Sequence, residues 1–205
     1  MSDAPVDFKE QMAEARRTQI LLGAAQVFAQ KGYHKATTKQ IARAAGVSEG
    51  TIYNYFSTKR DLLFAMVDQI AFDSLRPIVA GDTAADPRDL LNALVRDRFS
   101  LGEKYGSLMA PLLAEIFNDV ELRQALYDQL LRPITDHLES YVAARAASGE
   151  FRQIDPVVVV RGLMGALMLN FALKFSGVDS RYDDISLDSL REQIVALFLD
   201  GLQVK

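Results

Sequence analysis

The 205-residue sequence contains no cysteine, so neither a disulfide framework nor thiol chemistry is open to it. Its only histidines, His34 and His137, stand far apart and at no metal-ligand spacing. It has no glycine-rich phosphate cradle and no nucleophile motif. No stretch of useful length alternates apolar and polar residues, so strands are not expected, and there is no internal repeat or low-complexity tract. The opening M-S-D-A-P-V-D-F-K-E lacks the apolar segment of a signal peptide, which points to a cytoplasmic protein. These absences leave an all-α chain as the expectation, with no catalytic residue, no metal ligand and no cofactor assigned.

The overall charge is also uninformative until it is divided. A net charge of −4 argues against a generally basic nucleic-acid binder. Residues 15–60, however, carry eight lysines and arginines against Glu49 alone, a local +7, whereas residues 66–205 carry 14 basic and 21 acidic residues. A basic head on an acidic body orients a molecule toward phosphate.

The chain is organised around Gly32–Lys59, which reads as two short helices and a tight turn. Thr37 and Gln40 form a capping-box pair at the first start, and Ile41, Ala42 and Ala45 give an apolar face. Gly46 breaks that helix where a left-handed backbone fits. Ser48 caps the second, with Val47 and Ile52 as a hydrophobic staple. At about 100° per residue, Ile52 and Phe56 face inward with Tyr55 closer to them, Gly50 and Asn54 face outward, and Thr51 and Tyr53 flank these. A small, polar, hydroxyl-bearing outer face suits a helix lying in a groove, and the exposed glycine permits close approach.

The string G-Y-x-x-A-T-T-x-x-I-A-x-x-A-G-V-S-x-G-T-I-Y-x-Y-F-x-x-K resembles the DNA-binding signature of the TetR family of transcriptional regulators. The resemblance covers about the first third of the chain. It implies a domain at 1–80 that binds double-stranded operator DNA, with a helix-turn-helix at about 37–56 and a linking helix at 58–80. Residues 81–205 would then bind a small effector and dimerise. Lys35, Thr37, Thr38, Lys39, Tyr53, Tyr55 and Lys59 are the expected phosphate contacts. Gly50, Thr51 and Asn54 are expected at base edges, and Ser48 at the turn between them.

In chain order, residues 1 to about 12 read as an arm and about 13–31 as a first helix. Thr58 with Asp61 starts a helix expected to continue toward Arg76, and a linker of turn residues spans Gly81–Pro87. A helix from Asp86 is expected to stop near Gly106, with a separate short helix over Ser107–Phe117. Asn118 with Glu121 then opens a long helix that Pro133 should kink or split. Two more helices follow Pro156 and Leu187.

The run from Pro156 to Ser176 is apolar nearly all round. Arg161 and Lys174 leave 12 uncharged residues between them, short of the about 20 that a membrane span needs, so no membrane is expected. Such a helix needs cover on every side. The resemblance implies a homodimer through the last two helices; a fully buried helix in a monomer is the alternative. Phe99, Tyr105, Met109, Leu113, Phe117, Tyr127, Met164, Met168 and Phe171 could be plain core. In the family this region binds an effector, so they are also the candidate lining for a small apolar or aromatic ligand, with Asn170 or Tyr127 as its polar anchor. Two other readings stay open: a DNA-binding protein whose body has no pocket, and a helical enzyme with an apolar substrate site.

Overall fold

Helix starts in this chain are set by short polar side chains that accept otherwise unpaired backbone amides. Thr37 and Thr58 do this in full capping boxes with Gln40 and Asp61; Ser48, Asp86, Asp119, Asp155 and Ser186 accept without the reciprocal bond. The computed structural model describes residues 8–80 and 86–203, without the side chains at 107, 108, 110, 111 and 176. The expected linker at 81–87 therefore lies mostly outside the described residues, as do residues 1–7 of the expected arm.

The described elements are α1 (Phe8–Lys31), α2 (Thr38–Ala44), α3 (Glu49–Tyr55), α4 (Lys59–Ala71), α5 (Leu75–Val79), α6 (Pro87–Asn118), α7 (Val120–Leu126), α8 (Arg132–Ala147), α9 (Pro156–Ser176) and α10 (Leu187–Leu202). A π-turn at Tyr127–Leu131 joins α7 to α8, and a 3-10 turn at Ser180–Tyr182 precedes α10. Among the described residues the sole β pairing is an isolated bridge between Phe151 and Gln203.

Several boundaries differ from the sequence expectation, each for a physical reason. Residues 8–12 are helical, so α1 begins five residues earlier than expected. The linking helix is not continuous over 58–80; it stops at Ala71, short of Arg76, and restarts as α5. An uninterrupted helix would need the amide hydrogen that Pro77 lacks, whereas in the first turn of α5 that hydrogen has no helical partner. Asp119, not Asn118, caps α7, taking the amides of Glu121 at 2.9 Å and Leu122 at 3.0 Å. Ahead of Pro133 the chain widens into the π-turn, where the Arg132 amide reaches the Tyr127 carbonyl.

The largest difference is α6, which runs unbroken for 32 residues through Gly102 and Gly106. Each helical glycine costs about 1 kcal/mol against alanine. Here their bareness is filled: a methyl group at Gly102 would lie 2.3 Å from Phe175 and 2.6 Å from Phe171. The two rings from α9 rest on that gap, their centroids 5.2 Å apart.

One apolar cluster joins the N-terminal helices to the body. Ile20, Ala24 and Phe28 of α1, Ile41 of α2, Ile52 of α3 and Leu62, Leu63 and Met66 of α4 pack with Met109, Leu112 and Ile116 from the end of α6. A second cluster, around Val95 and Phe99 of α6 with Leu163 of α9 and Ile194, Val195 and Leu199 of α10, holds the far end of the body.

Helices α1 and α2 touch at Gly23, where a Cβ would lie 2.8 Å from both the Cβ and the backbone nitrogen of Ala45. Gly23→Ala should therefore push α2 off α1 and destabilise the fold by about 1–3 kcal/mol, despite alanine's better helix propensity. Chemical denaturation of the variant beside the parent protein measures this; an unchanged or higher midpoint would contradict the close approach.

Candidate functional site

The two short helices α2 and α3 are held at a fixed angle by the turn between them. Gly46 adopts φ +65°. Its amide bonds the Arg43 carbonyl at 3.2 Å, and the Val47 amide bonds the Ala42 carbonyl at 2.9 Å. That pair of bonds is the left-handed helix stop expected at this glycine. The Ala45 carbonyl accepts from the Gln19 side chain of α1 at 2.6 Å, and Ile52 and Phe56 seat α3 on the core.

This leaves an outer face in the order expected from helical angle. Gly50 and Asn54 are exposed, Tyr53 is half exposed and Thr51 is partly covered. The Thr51 hydroxyl lies 2.7 Å from that of Ser48, which also accepts the Thr51 amide at 3.1 Å. Tyr55, placed nearer the inward side by angle, is instead exposed, because the chain leaves the helix at Phe56. Lys35 and Lys39 are exposed beside this face. Sequence reasoning had counted Glu49 only as charge; the Thr38 hydroxyl donates to its carboxylate and lies 3.3 Å from the Tyr53 hydroxyl. This acid on the outer face can accept from a cytosine amino group.

Lys59, expected at a phosphate, is engaged within the protein. Its ammonium does not extend from the head toward solvent. It donates to the carbonyls of Tyr33 at 2.8 Å, Ala36 at 3.0 Å and His34 at 3.3 Å, and sits 4.4 Å from the centre of the Tyr33 ring. All three donors are committed, so this lysine clamps the loop between α1 and α2. From the body, the Glu115 carboxylate accepts the amides of Tyr33 at 2.6 Å and His34 at 2.8 Å. Burial pushes the Tyr33 phenol above its ordinary value; the Arg60 charge opposes this, and the Asp119, Asp61 and Glu115 carboxylates add to it. The phenol thus stays neutral across the working pH range.

The ten residues expected to line an effector site stand in several different environments. Phe99 is buried in the far cluster, beneath the guanidinium of Arg191, 6.0 Å from the ring centre. Met109 belongs to the shared core, against which Tyr105, Leu113 and Met164 pack. Phe117, Tyr127 and Met168 are 39%, 36% and 51% exposed. Phe171 covers Gly102. Asn170, the expected polar anchor, is already satisfied: it donates to the Ala166 carbonyl at 2.7 Å and accepts from the Tyr182 hydroxyl at 2.7 Å. The other expected anchor, Tyr127, accepts from Arg161 at 3.3 Å.

An apolar cavity of about 50 Å³ lies elsewhere, between the start of α6 and helices α8, α9 and α10. None of those ten residues lines it. Leu90 and Leu94, Leu138 and Val142, Val160 and Leu163 are among its walls. Leucine and valine at helical spacing carry no mark that separates a cavity wall from ordinary core. Among the described residues, no three His, Asp or Glu side chains group as metal ligands.

Helix α9 leaves much of its apolar surface uncovered. The stretch Pro156–Phe175 has a mean hydropathy of 1.8 and is 11% buried, so by length and composition alone it could cross a membrane, contrary to the estimate from charge spacing. Its charges are tied to the protein: Arg161 pairs with Glu139 at 2.7 Å, and Lys174 donates to the carbonyls of Tyr182 and Ile185 at 2.5 and 2.9 Å. Val159, Val160 and Leu163 pack inward, which fits a helix of a folded body with one bare face. Val158 on α9 and Leu197 on α10 are 64% and 70% exposed, and a groove of about 230 Å³ runs between these helices past Gly162 and Gly201.

Known proteins with the same arrangement identify the class. Residues 20–66 match the model for bacterial regulatory proteins of the tetR family, and residues 78–190 match the tetracyclin repressor-like C-terminal domain. The chain belongs to the TetR family: it is a ligand-responsive, DNA-binding transcriptional regulator. It is 25% identical over 190 residues to the fatty acid metabolism regulator protein of Bacillus subtilis (strain 168), covering 91% of this chain and 95% of that one. It is 28% identical over 196 residues to the transcriptional repressor KstR2 of Rhodococcus jostii (strain RHA1), covering 91% of each. The solved structure of FadR from Bacillus subtilis in complex with stearoyl-CoA superposes with a TM-score of 0.72 at 24% identity, covering 90% of this chain and 98% of that one.

The roles of the two lysines separate by measurement. Lys59→Met should lower stability by about 1–3 kcal/mol, because it strips the shared donor from three carbonyls. Lys35→Ala should leave thermal unfolding nearly unchanged but flatten the salt dependence of operator binding by roughly one unit of slope per subunit. Equal melting temperatures for Lys59→Met and the parent protein would contradict the clamp.

Proposed function

We propose that this protein is a homodimeric repressor that leaves a near-palindromic operator when a long-chain acyl group, as its coenzyme A thioester, enters the body between α6, α8, α9 and α10. The observation that carries the reading is the apolar cavity at that place, walled by leucine and valine. At about 50 Å³ it is well below the roughly 300–1,000 Å³ of an occupied ligand site, so the acyl chain would have to part the helices as it enters. Parting α6 from α9 is a movement at the far end of the helix whose other end lies in the core of the reading head. The acyl class is suggested by the Bacillus subtilis fatty acid regulator and by the stearoyl-CoA bound in the FadR structure.

In this reading α3 lies in the major groove. Gly50, Thr51, Asn54 and Glu49 meet base edges, and Lys35, Lys39, Thr38, Tyr53 and Tyr55 meet phosphates. Thr37 and Ser48 hold the helix starts that aim these groups. Two heads of a dimer would read half-sites one helical turn apart, about 34–36 Å. The protein would act in the cytoplasm, on chromosomal DNA.

The test is operator affinity with and without stearoyl-CoA, beside coenzyme A alone and free stearate. Stearoyl-CoA should weaken operator binding by at least about tenfold, and operator should weaken stearoyl-CoA by the same factor. Val142→Phe, which fills the cavity, should bind operator normally and lose the response. Stearoyl-CoA bound with no change in operator affinity would contradict the proposed effector.

The bare faces of α9 and α10 are the proposed dimer surface. Leu197→Glu would bury an unpaired carboxylate there, at several kcal/mol, and should give monomers or aggregate. Sedimentation of the parent protein as a monomer at micromolar concentration would contradict the dimer.

A further inference from the structure

The loop between α1 and α2 is gripped from both sides, and the two grips come from different parts of the protein. Lys59, at the start of α4, holds its carbonyls, while Glu115, from the end of α6, holds its amides. These amides follow the last turn of α1 and have no helical carbonyl to bond. A carboxylate that accepts two successive amides makes charge-assisted hydrogen bonds, about twice as strong as neutral ones.

The backbone is shaped to admit it. Gly32 has φ +75°, and a Cβ on it would lie 2.8 Å from Oε2 of Glu115. Any side chain at 32 would strain the turn and strike the carboxylate. His34 stands beside the contact, its Nε2 3.8 Å from Oε1 of Glu115 and 3.6 Å from Oδ2 of Asp119. Glu115 itself is fixed by its neighbours on the helix, since Leu112 and Ile116 are buried in the core that head and body share. Its position thus moves with α6.

We propose that Glu115 couples the body to the reading head, carrying the state of one into the other through the amides of Tyr33 and His34. It touches no DNA. The loop it grips leads directly into Lys35 and the Thr37 cap of α2, so a shift of the α6 end reaches the phosphate-facing edge of the head through this loop as well as through the packing of α6 on α4. Lys59 makes the loop move as one piece. This route holds whatever ligand occupies the cavity.

The test needs no effector. Amide hydrogen exchange is measured by mass spectrometry on the full-length dimer, with and without an operator duplex selected from a random pool by the parent protein. In the parent protein operator binding should slow exchange in α6 and α8. Glu115→Ala should bind the same duplex within about tenfold, while the operator-induced change in α6 and α8 falls below about a third of the parent value. Glu115→Gln, which keeps the size and one acceptor, should change in the same direction by less, and it decides the matter if the alanine variant does not fold. An equal operator-induced change in parent and variants would overturn the proposal. So would the absence of any change in the parent body. Loss of all operator binding in both variants would also overturn it, because Glu115 would then only hold the head together. Failure of stearoyl-CoA to release DNA would leave each of these outcomes readable.

Discussion

The structure depends on the burial of one short apolar stripe in a core that head and body share. Met109, Leu112 and Ile116, at helical spacing near the end of α6, belong to the body by sequence and are buried in one apolar cluster that also takes in Phe28 of α1, Ile41 of α2, Ile52 of α3 and Leu63 of α4. Fully burying a leucine, isoleucine or methionine side chain contributes about 1.5–3 kcal/mol, so three of them are comparable with the whole stability of a small domain. The head cannot turn away from α6 without opening that shared cluster. The polar bonds of Glu115 then fix the remaining freedom, because apolar contact alone has no preferred direction. A regulator needs both properties: a joint strong enough to persist and specific enough to transmit a displacement.

How much of this was legible in the sequence follows from the range of the interactions. The helix-turn-helix was readable because its determinants are local. Thr37, Gly46, Ser48 and Thr58 each act within three or four residues, and the structure shows each acting as expected. The continuity of α6 was not readable, because Gly102 and Gly106 are tolerated only through the rings of Phe171 and Phe175, some seventy residues away in the chain. The partners of Lys59 were not readable for the same reason: a lysine in a basic DNA-binding segment suggests phosphate, and only the fold brings it to three carbonyls.

The body shows the limit more sharply. Aromatic and methionine residues were expected to mark the ligand site; the cavity proposed for the effector is walled largely by aliphatic side chains, and Asn170 bonds within its own helix and to Tyr182. Apolar periodicity shows which residues turn inward and does not show where packing is incomplete. The bare face of α9 was legible, because a helix apolar on every side exceeds what one protomer can cover. That face and the cavity share the helix, since Val159 and Val160 wall the cavity while Val158 lies exposed beside them.

The central claim is that head and body form a single cooperative unit through the end of α6. Residue-resolved hydrogen exchange in increasing urea, at fixed protomer concentration, tests it most directly. The account predicts that the amides of Ile41 and Ile52 in the head and of Ile116 and Val160 in the body open with the same free energy and the same dependence on urea. If the head amides open at distinctly lower urea, with a smaller dependence, while the body stays closed, head and body are separate units and the shared core does not couple them.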